Sequence, residues 1–206
     1  MIGFNIKVTG MEGVKRTLAQ LPRDMRDKAI GPAINKTAQK AKTEIKRGIT
    51  EEYAVKADEV ASAISIKNAR SGQPEATISI FGSKTKRGRS ANMIHFIALM
   101  QAAGVAFKTR GAKVTKKQAR EFGKQLGFII KRGGSIKKIE GAFLGNRGRT
   151  VFMREGKERL PIKPVQVIGF SQMFNSKKIS RRVMAKVESD FKIELDRAIA
   201  MVLSKK

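Results

Sequence analysis

"ISRRVMAKVESDFKIELDRAIAMVL" occupies Ile179–Leu203. Ile179, Val183, Val187, Phe191, Leu195, Ile199 and Leu203 recur at every fourth position. That spacing winds an apolar stripe along one side of an α-helix about 25 residues long. Such a stripe faces a core more often than it docks a partner, and the predicted helix runs from Ser171 to the end of the chain. A stripe cannot bury itself, so the rest of the sequence must supply a surface for it. A second long helical pattern runs from about Asp24 to Ile49, with its ridge at Met25, Ala29, Ile34, Ala38, Ala41, Ile45 and Ile49. Ala33, Ala38 and Ala41 let another backbone come close. Gly31-Pro32 lies inside this pattern and predicts a kink or a restart.

Between the helices the pattern changes to strands and turns. Ile2, Phe4, Ile6 and Val8 alternate as in a half-buried strand, followed by a short helix over 13–21. Another short helix fits Lys56 to Ala63. "ISIKNA", a turn at "SGQPE" and "ATISIFG" predict a hairpin over 64–81. Residues 94–103 read as a short apolar helix, and Thr115 opens another. Residues 126–131 and 135–145 flank Gly133-Gly134 as a second hairpin. Thr150–Arg154 and Arg159–Ile162 flank "EGKE" as a third, whose last strand Pro161 and Pro164 confine to an edge or end. The order predicts an α+β fold, antiparallel hairpins packed against two long α-helices, in a single domain of 206 residues.

Composition narrows the partners. Lys+Arg is 44 against Asp+Glu 17, a formal net charge of +27. Nucleic acid, an anionic membrane or an acidic protein surface would be attracted. Cysteine is absent, which removes disulfides and thiolate chemistry. The start, "MIGFNIK", lacks the pattern of a secretory signal, and "MIHFIALMQAAGVAF" (93–107) falls short of a bilayer span and is interrupted by His95 and Gln101. A soluble protein without a membrane partner is expected. The charge is uneven: 17 basic side chains stand against two acidic ones, Glu121 and Glu140, between 82 and 150. Solvated surfaces ordinarily mix signs. Candidate contacts for DNA or an acidic partner are Lys84, Lys86, Arg87, Arg89, Lys108, Arg110, Lys113, Lys116 and Lys117. With no Trp, one Tyr and no aromatics interleaved with the cations, any nucleic-acid contact would be to backbone phosphates.

Catalytic chemistry finds little support. His95 is the one histidine and sits in an apolar stretch, so a packed or partly exposed ring is expected rather than a base or ligand. There is neither a P-loop nor a G-x-S-x-G elbow. Glu155-Gly156-Lys157 resembles half of a metal-dependent nuclease site, but such a site needs a second carboxylate, and no Asp occurs from 97 to 189. A polar turn is the better reading. No catalytic residue, metal or cofactor is expected.

Two blocks carry a family resemblance. "AINKTAQKAKTEIKRGITEEYAVKADEVASAISIKNA" (33–69) and "GAFLGNRGRTVFMREGKERLPIKPVQVIGFSQMF" (141–174) resemble the two signatures of the minor tail protein Z family of long-tailed phages and prophages. Residues of about 82–135 fit less well and look like a divergent or inserted region. The resemblance implies a non-enzymatic virion protein, made in the bacterial host cytoplasm, that completes the tail at its head-proximal end. It also implies a ring matching the sixfold tail, with terminator, tube, tape-measure and head-neck proteins as neighbours, and a tail-completion-protein fold. A ring needs heterologous interfaces, for which the hairpins and basic loop are candidates. Arg154, Lys157, Arg159 and Pro161 form the candidate subunit interface, with backbone contact to phage DNA as a further expectation. The alternative is a sequence-independent nucleic-acid-binding protein.

Overall fold

The computed structural model describes residues 23–70, 73–82, 91–102, 105–108, 126–147 and 149–204. The strand expected over 2–8, the short helix over 13–21, the basic run 83–90 and the helix opened by Thr115 lie outside them. Helix α1 (Arg23–Glu52) leads into a short helix α2 (Ala57–Ser62) and the hairpin β1 (Ile64–Lys67) and β2 (Thr77–Ile80). Strand β3 (Ala91–Asn92) precedes a 3₁₀ turn (Met93–Phe96), then β4 (Ile97–Ala102) and β5 (Val105–Lys108). Strands β6 (Gly127–Phe128), β7 (Lys137–Lys138), β8 (Ala142–Gly145), β9 (Thr150–Arg154), β10 (Ile162–Pro164) and β11 (Gln166–Val167) follow, and helices α3 (Phe170–Phe174) and α4 (Lys177–Leu203) close the chain. The α+β expectation holds.

The α1–α4 contact is the most extensive between any two elements. Ile179, Val183, Val187, Phe191 and Leu195 of the α4 stripe are buried, and α1 meets them with Ala33, Ala38, Ala41, Ile45 and Ile49. Small side chains bring the two backbones close: a Cβ on Gly48 would lie 3.0 Å from Ile179 Cγ2. Helix α1 continues through Pro32 instead of restarting. Pro32 is exposed, so water can meet the carbonyl that the ring leaves unbonded. The C-terminal helix does break, at Asn175-Ser176, so the region expected as one helix from Ser171 is α3 plus α4.

A row of charges flanks this apolar seam. Lys40 Nζ lies 2.7 Å from Glu194 and 3.7 Å from Asp190, two carboxylates that are 2% and 4% exposed. Lys186 reaches Asp190 at 3.1 Å and Arg197 reaches Glu194 at 2.8 Å. One turn further along, Arg182 Nε lies 2.6 Å from Glu44 and its other arm bonds Glu51, which also accepts from Arg47 at 2.7 Å. The hydrogen bonds from Arg182 and then Arg47 hold the Glu51 carboxyl down to about 2.

The strands form four small antiparallel sheets: β1-β2, β10-β9-β8, β11-β3 and β5-β4-β6-β7. Of residues 94–103, expected as a helix, the described 94–102 are the 3₁₀ turn and strand β4, because β4 has a partner strand on each side to satisfy its backbone. The strand expected over 135–145 divides at Gly141 (φ 70°), so β7 pairs with β6 while β8 pairs with β9 in another sheet. The first hairpin is pinned to α1 by Asn35, whose Oδ1 accepts from the Ala69 N–H at 2.7 Å while its Nδ2 donates to the Ala69 carbonyl at 3.2 Å. Asn92 ties β3 to β9 and to Val165, the link between β10 and β11. Its Oδ1 accepts from the N–H groups of Val151 and Ile94, both at 3.0 Å, and its Nδ2 donates to the carbonyls of Val165 (3.2 Å) and Val151 (3.3 Å).

Asn92→Ala should lower the stability by about 2 kcal/mol, read from the denaturation midpoint, because it strands half-buried donors and acceptors without replacing them. Acid should loosen the α1–α4 seam. The Lys40 hydrogen bond holds the Glu194 carboxyl below its ordinary 4.5 despite its burial. A depressed folded value gives stabilisation that is present above the unfolded value and lost as pH falls through the folded one. The thermal midpoint of the wild type should therefore hold steady above about pH 5 and drop below about 4.5. Glu194→Gln should begin lower at pH 7 and show a shallower acid loss.

Candidate functional site

The β9–β10 hairpin stands out from this frame. Its arms are set by the pairing of Ile162 with Arg154 and of Pro164 with Phe152. On the other side of β9, Phe143 of β8 lies opposite Phe152, with ring centroids 6.1 Å apart in a stacked arrangement. The Phe152 ring also covers Gly145, where a Cβ would come within 2.7 Å of Cδ2. Asn146 and Arg147 turn the chain between β8 and β9 with φ of 51° and 55°. Two positive φ values in succession match the twist of a tight hairpin.

The loop 155–161 is closed from inside. Arg154 Nη1 donates to the carbonyls of Arg159 (3.0 Å) and Glu158 (3.4 Å), and its guanidinium lies 5.2 Å from the centre of the Phe143 ring. The Glu155 N–H donates to the Pro161 carbonyl at 3.2 Å, and Lys163 Nζ lies 3.3 Å from Glu155. The Leu160-Pro161 peptide is cis. Pro161 thus belongs to the loop and precedes the second strand, which was expected to span Arg159–Ile162 and stop at the proline. The register, fixed by Ile162 against Arg154, starts that strand later. It is an edge strand, as its prolines require. Arg154 reaches across the hairpin to the Arg159 backbone, leaving the Arg159 side chain at the surface. Leu160 is 66% exposed, the most exposed large apolar residue among those described, and Lys157, Arg159 and Pro161 are exposed beside it.

The other sequence candidates fall elsewhere. Lys84, Lys86, Arg87, Arg89, Arg110, Lys113, Lys116 and Lys117 lie outside the described residues, and of Lys108 the structure gives the backbone, paired with Leu99 in β5. The described cations of the basic region, Lys131, Arg132, Lys137, Lys138, Arg147 and Arg149, are all exposed. Lys137 and Lys138 form the outer strand of their sheet, where charge also discourages edge pairing. His95 is half-buried, with Nδ1 3.0 Å from Glu59 Oε2 and its ring tilted against Phe170. Glu155 of the Glu-x-Lys pattern is spent on Lys163. Among the described residues no three His, Cys, Asp or Glu side chains form a group that could hold a metal ion, and no helix is long and apolar enough to cross a membrane.

Sequence reasoning missed Asn92 and the Asp190–Glu194 pair. The carboxylates recur at i, i+4 beside the apolar stripe, and Lys36 and Lys40 recur at the same spacing on α1. Their matching periods were the available signal. Nothing local marks Asn92, whose bonds reach 59 and 73 residues along the chain.

The model of the family described as prophage minor tail protein Z matches residues 8–205, nearly the whole chain. No curated protein and no solved structure matches it.

Gly145→Ala should destabilise the hairpin by about 1–3 kcal/mol, since the added methyl overlaps a ring already stacked on Phe143. Chemical-shift changes in NMR spectra should concentrate on Phe143, Phe152 and the loop.

Proposed function

The chain belongs to the prophage minor tail protein Z family, a family of phage tail structural proteins, and from that premise we propose that it completes the tail at its head-proximal end. The observation that carries this reading is the family match over residues 8–205. The geometry supports a role played by surfaces rather than by a catalytic pocket. Its two long helices form a rigid body, and the hairpin offers a shaped, exposed contact. Copies arranged in a sixfold ring would meet through heterologous interfaces, one face of each subunit against a different face of the next. Terminator, tube, tape-measure and head-neck proteins are the proposed neighbours, and the hairpin residues Arg154, Lys157, Arg159 and Pro161 a surface through which the chain is gripped in the assembly. The chain acts as one domain without cofactor or catalysis.

The charge of the 82–150 region, multiplied around a ring, draws either the incoming DNA end or acidic proteins. The charge also supports the second reading, a sequence-independent nucleic-acid-binding protein. That reading requires tight binding of the isolated chain to any DNA duplex, with a steep fall as salt rises.

In phage-producing cells lacking the natural copy, supplying the full chain should restore infectious particles, with the protein located by gold labelling at the head-proximal tail end. Arg154→Ala and Arg159→Ala should each lower the yield while the purified protein keeps its thermal midpoint within a few degrees. Normal yields from both variants would count against the hairpin contact, and labelling elsewhere in the virion against the position.

A further inference from the structure

The hairpin tip joins an exposed apolar side chain to a fixed loop and a rim in which the cations Lys157 and Arg159 outnumber Glu158. Leu160, at 66% exposure, is flanked by Ile162 at 38% two positions along. The loop that holds it is already closed by Arg154 on two carbonyls and by the Glu155 N–H on Pro161. A contact presented in this way loses little conformational freedom on docking. The charges around it divide into two sets. Arg154 is spent on the loop's own backbone and on the Phe143 face, and Lys163 is paired with Glu155. Lys157 and Arg159 make no ion pair with any described residue and stand exposed on either side of Glu158 next to Leu160.

We infer that this tip is the docking plug for an acidic protein of the virion, with Leu160 as the anchor in an apolar socket, Lys157 and Arg159 meeting carboxylates at its rim, and Arg154 as the positioning residue that shapes the loop. The inference rests on the reading of the hairpin as an assembly contact and names what covers it. Charge complementarity selects the partner. A second copy of this chain carries +27 and opposes the rim with its own sign. Nucleic acid would meet the two cations, but the central leucine has no π-face on which bases stack. An apolar centre with a cationic rim fits a protein surface of opposite pattern.

The test uses the full chain in phage-producing cells lacking the natural copy. A photo-crosslinking residue placed at position 160 should give an adduct, in purified particles, with a virion protein of net negative charge. An adduct with a second copy, an adduct with DNA, or no adduct in particles that contain the chain overturns the inference. Leu160→Asp and Arg159→Glu should each lower infectious yield about tenfold or more, the size expected of an anchor residue at an interface centre. Leu160→Met should keep it. Arg154→Ala should lower yield and also speed protease nicking of the loop, and Arg154→Lys should not rescue either, because an ammonium lacks the planar fork that reaches two carbonyls and stacks on a ring. If Leu160→Asp, Arg159→Glu and Arg154→Ala all give normal yields, the assembly reading of the hairpin fails as well. If they lower yield but the adduct is a second copy, only the choice of partner fails.

Discussion

The packing of α1 on α4 is the constraint from which the rest of the structure follows. Each helix alone exposes an apolar stripe, and together they bury it as far as Leu195 along a seam narrow enough that Gly48 meets Ile179. The charges beside the seam give it register. Lys40 between Asp190 and Glu194, and Arg182 between Glu44 and Glu51, are satisfied at one sliding position of the two helices. A buried carboxylate left without its cation is costly, so a shift by one turn is penalised more heavily than loss of apolar contact alone would require.

Strands of two to six residues cannot hold themselves together as isolated ribbons. They persist here because each pairs with another strand and several are fastened to the helical pair or to one another through specific side chains. Asn35 receives the first hairpin, Ile45 and Ile49 share the core with Ile64, Ile78 and Ile80, and Asn92 holds β3, β9 and the Val165 link between β10 and β11 in one arrangement. Strand β9 in turn carries the exposed hairpin. A chain of fixed contacts therefore runs from the helix seam to Leu160, which lets a loop on the outside of the molecule keep a definite shape.

The distribution of charge follows the same logic. Acids are scarce, and the structure spends several of them internally: Asp190 and Glu194 on α1, Glu44 and Glu51 on Arg182, Glu155 on Lys163. The remaining surface is strongly basic by default. In a tail protein such a surface favours binding to acidic neighbours or phosphates and disfavours contact between like faces.

The sequence by itself determined the two long helices, the hairpin over 64–81, the edge position of the strand after Pro161, the α+β class and the family. Each rests on period or on local turn chemistry, which neighbouring residues decide among themselves. The residues of the hairpin were legible too, Arg154 and Arg159 among them, but the bonds that close its loop were not. Only the tertiary structure decided that Arg154 reaches across the loop to the Arg159 carbonyl, that 97–102 is a strand, and that 135–145 splits between two sheets. It also decided that Asn92 and the Asp190–Glu194 pair matter. The physical reason is common to all of these. A strand's partners, a buried carboxylate's cation and an asparagine's four hydrogen bonds come from residues far away in the chain, and no local pattern records which distant group will arrive.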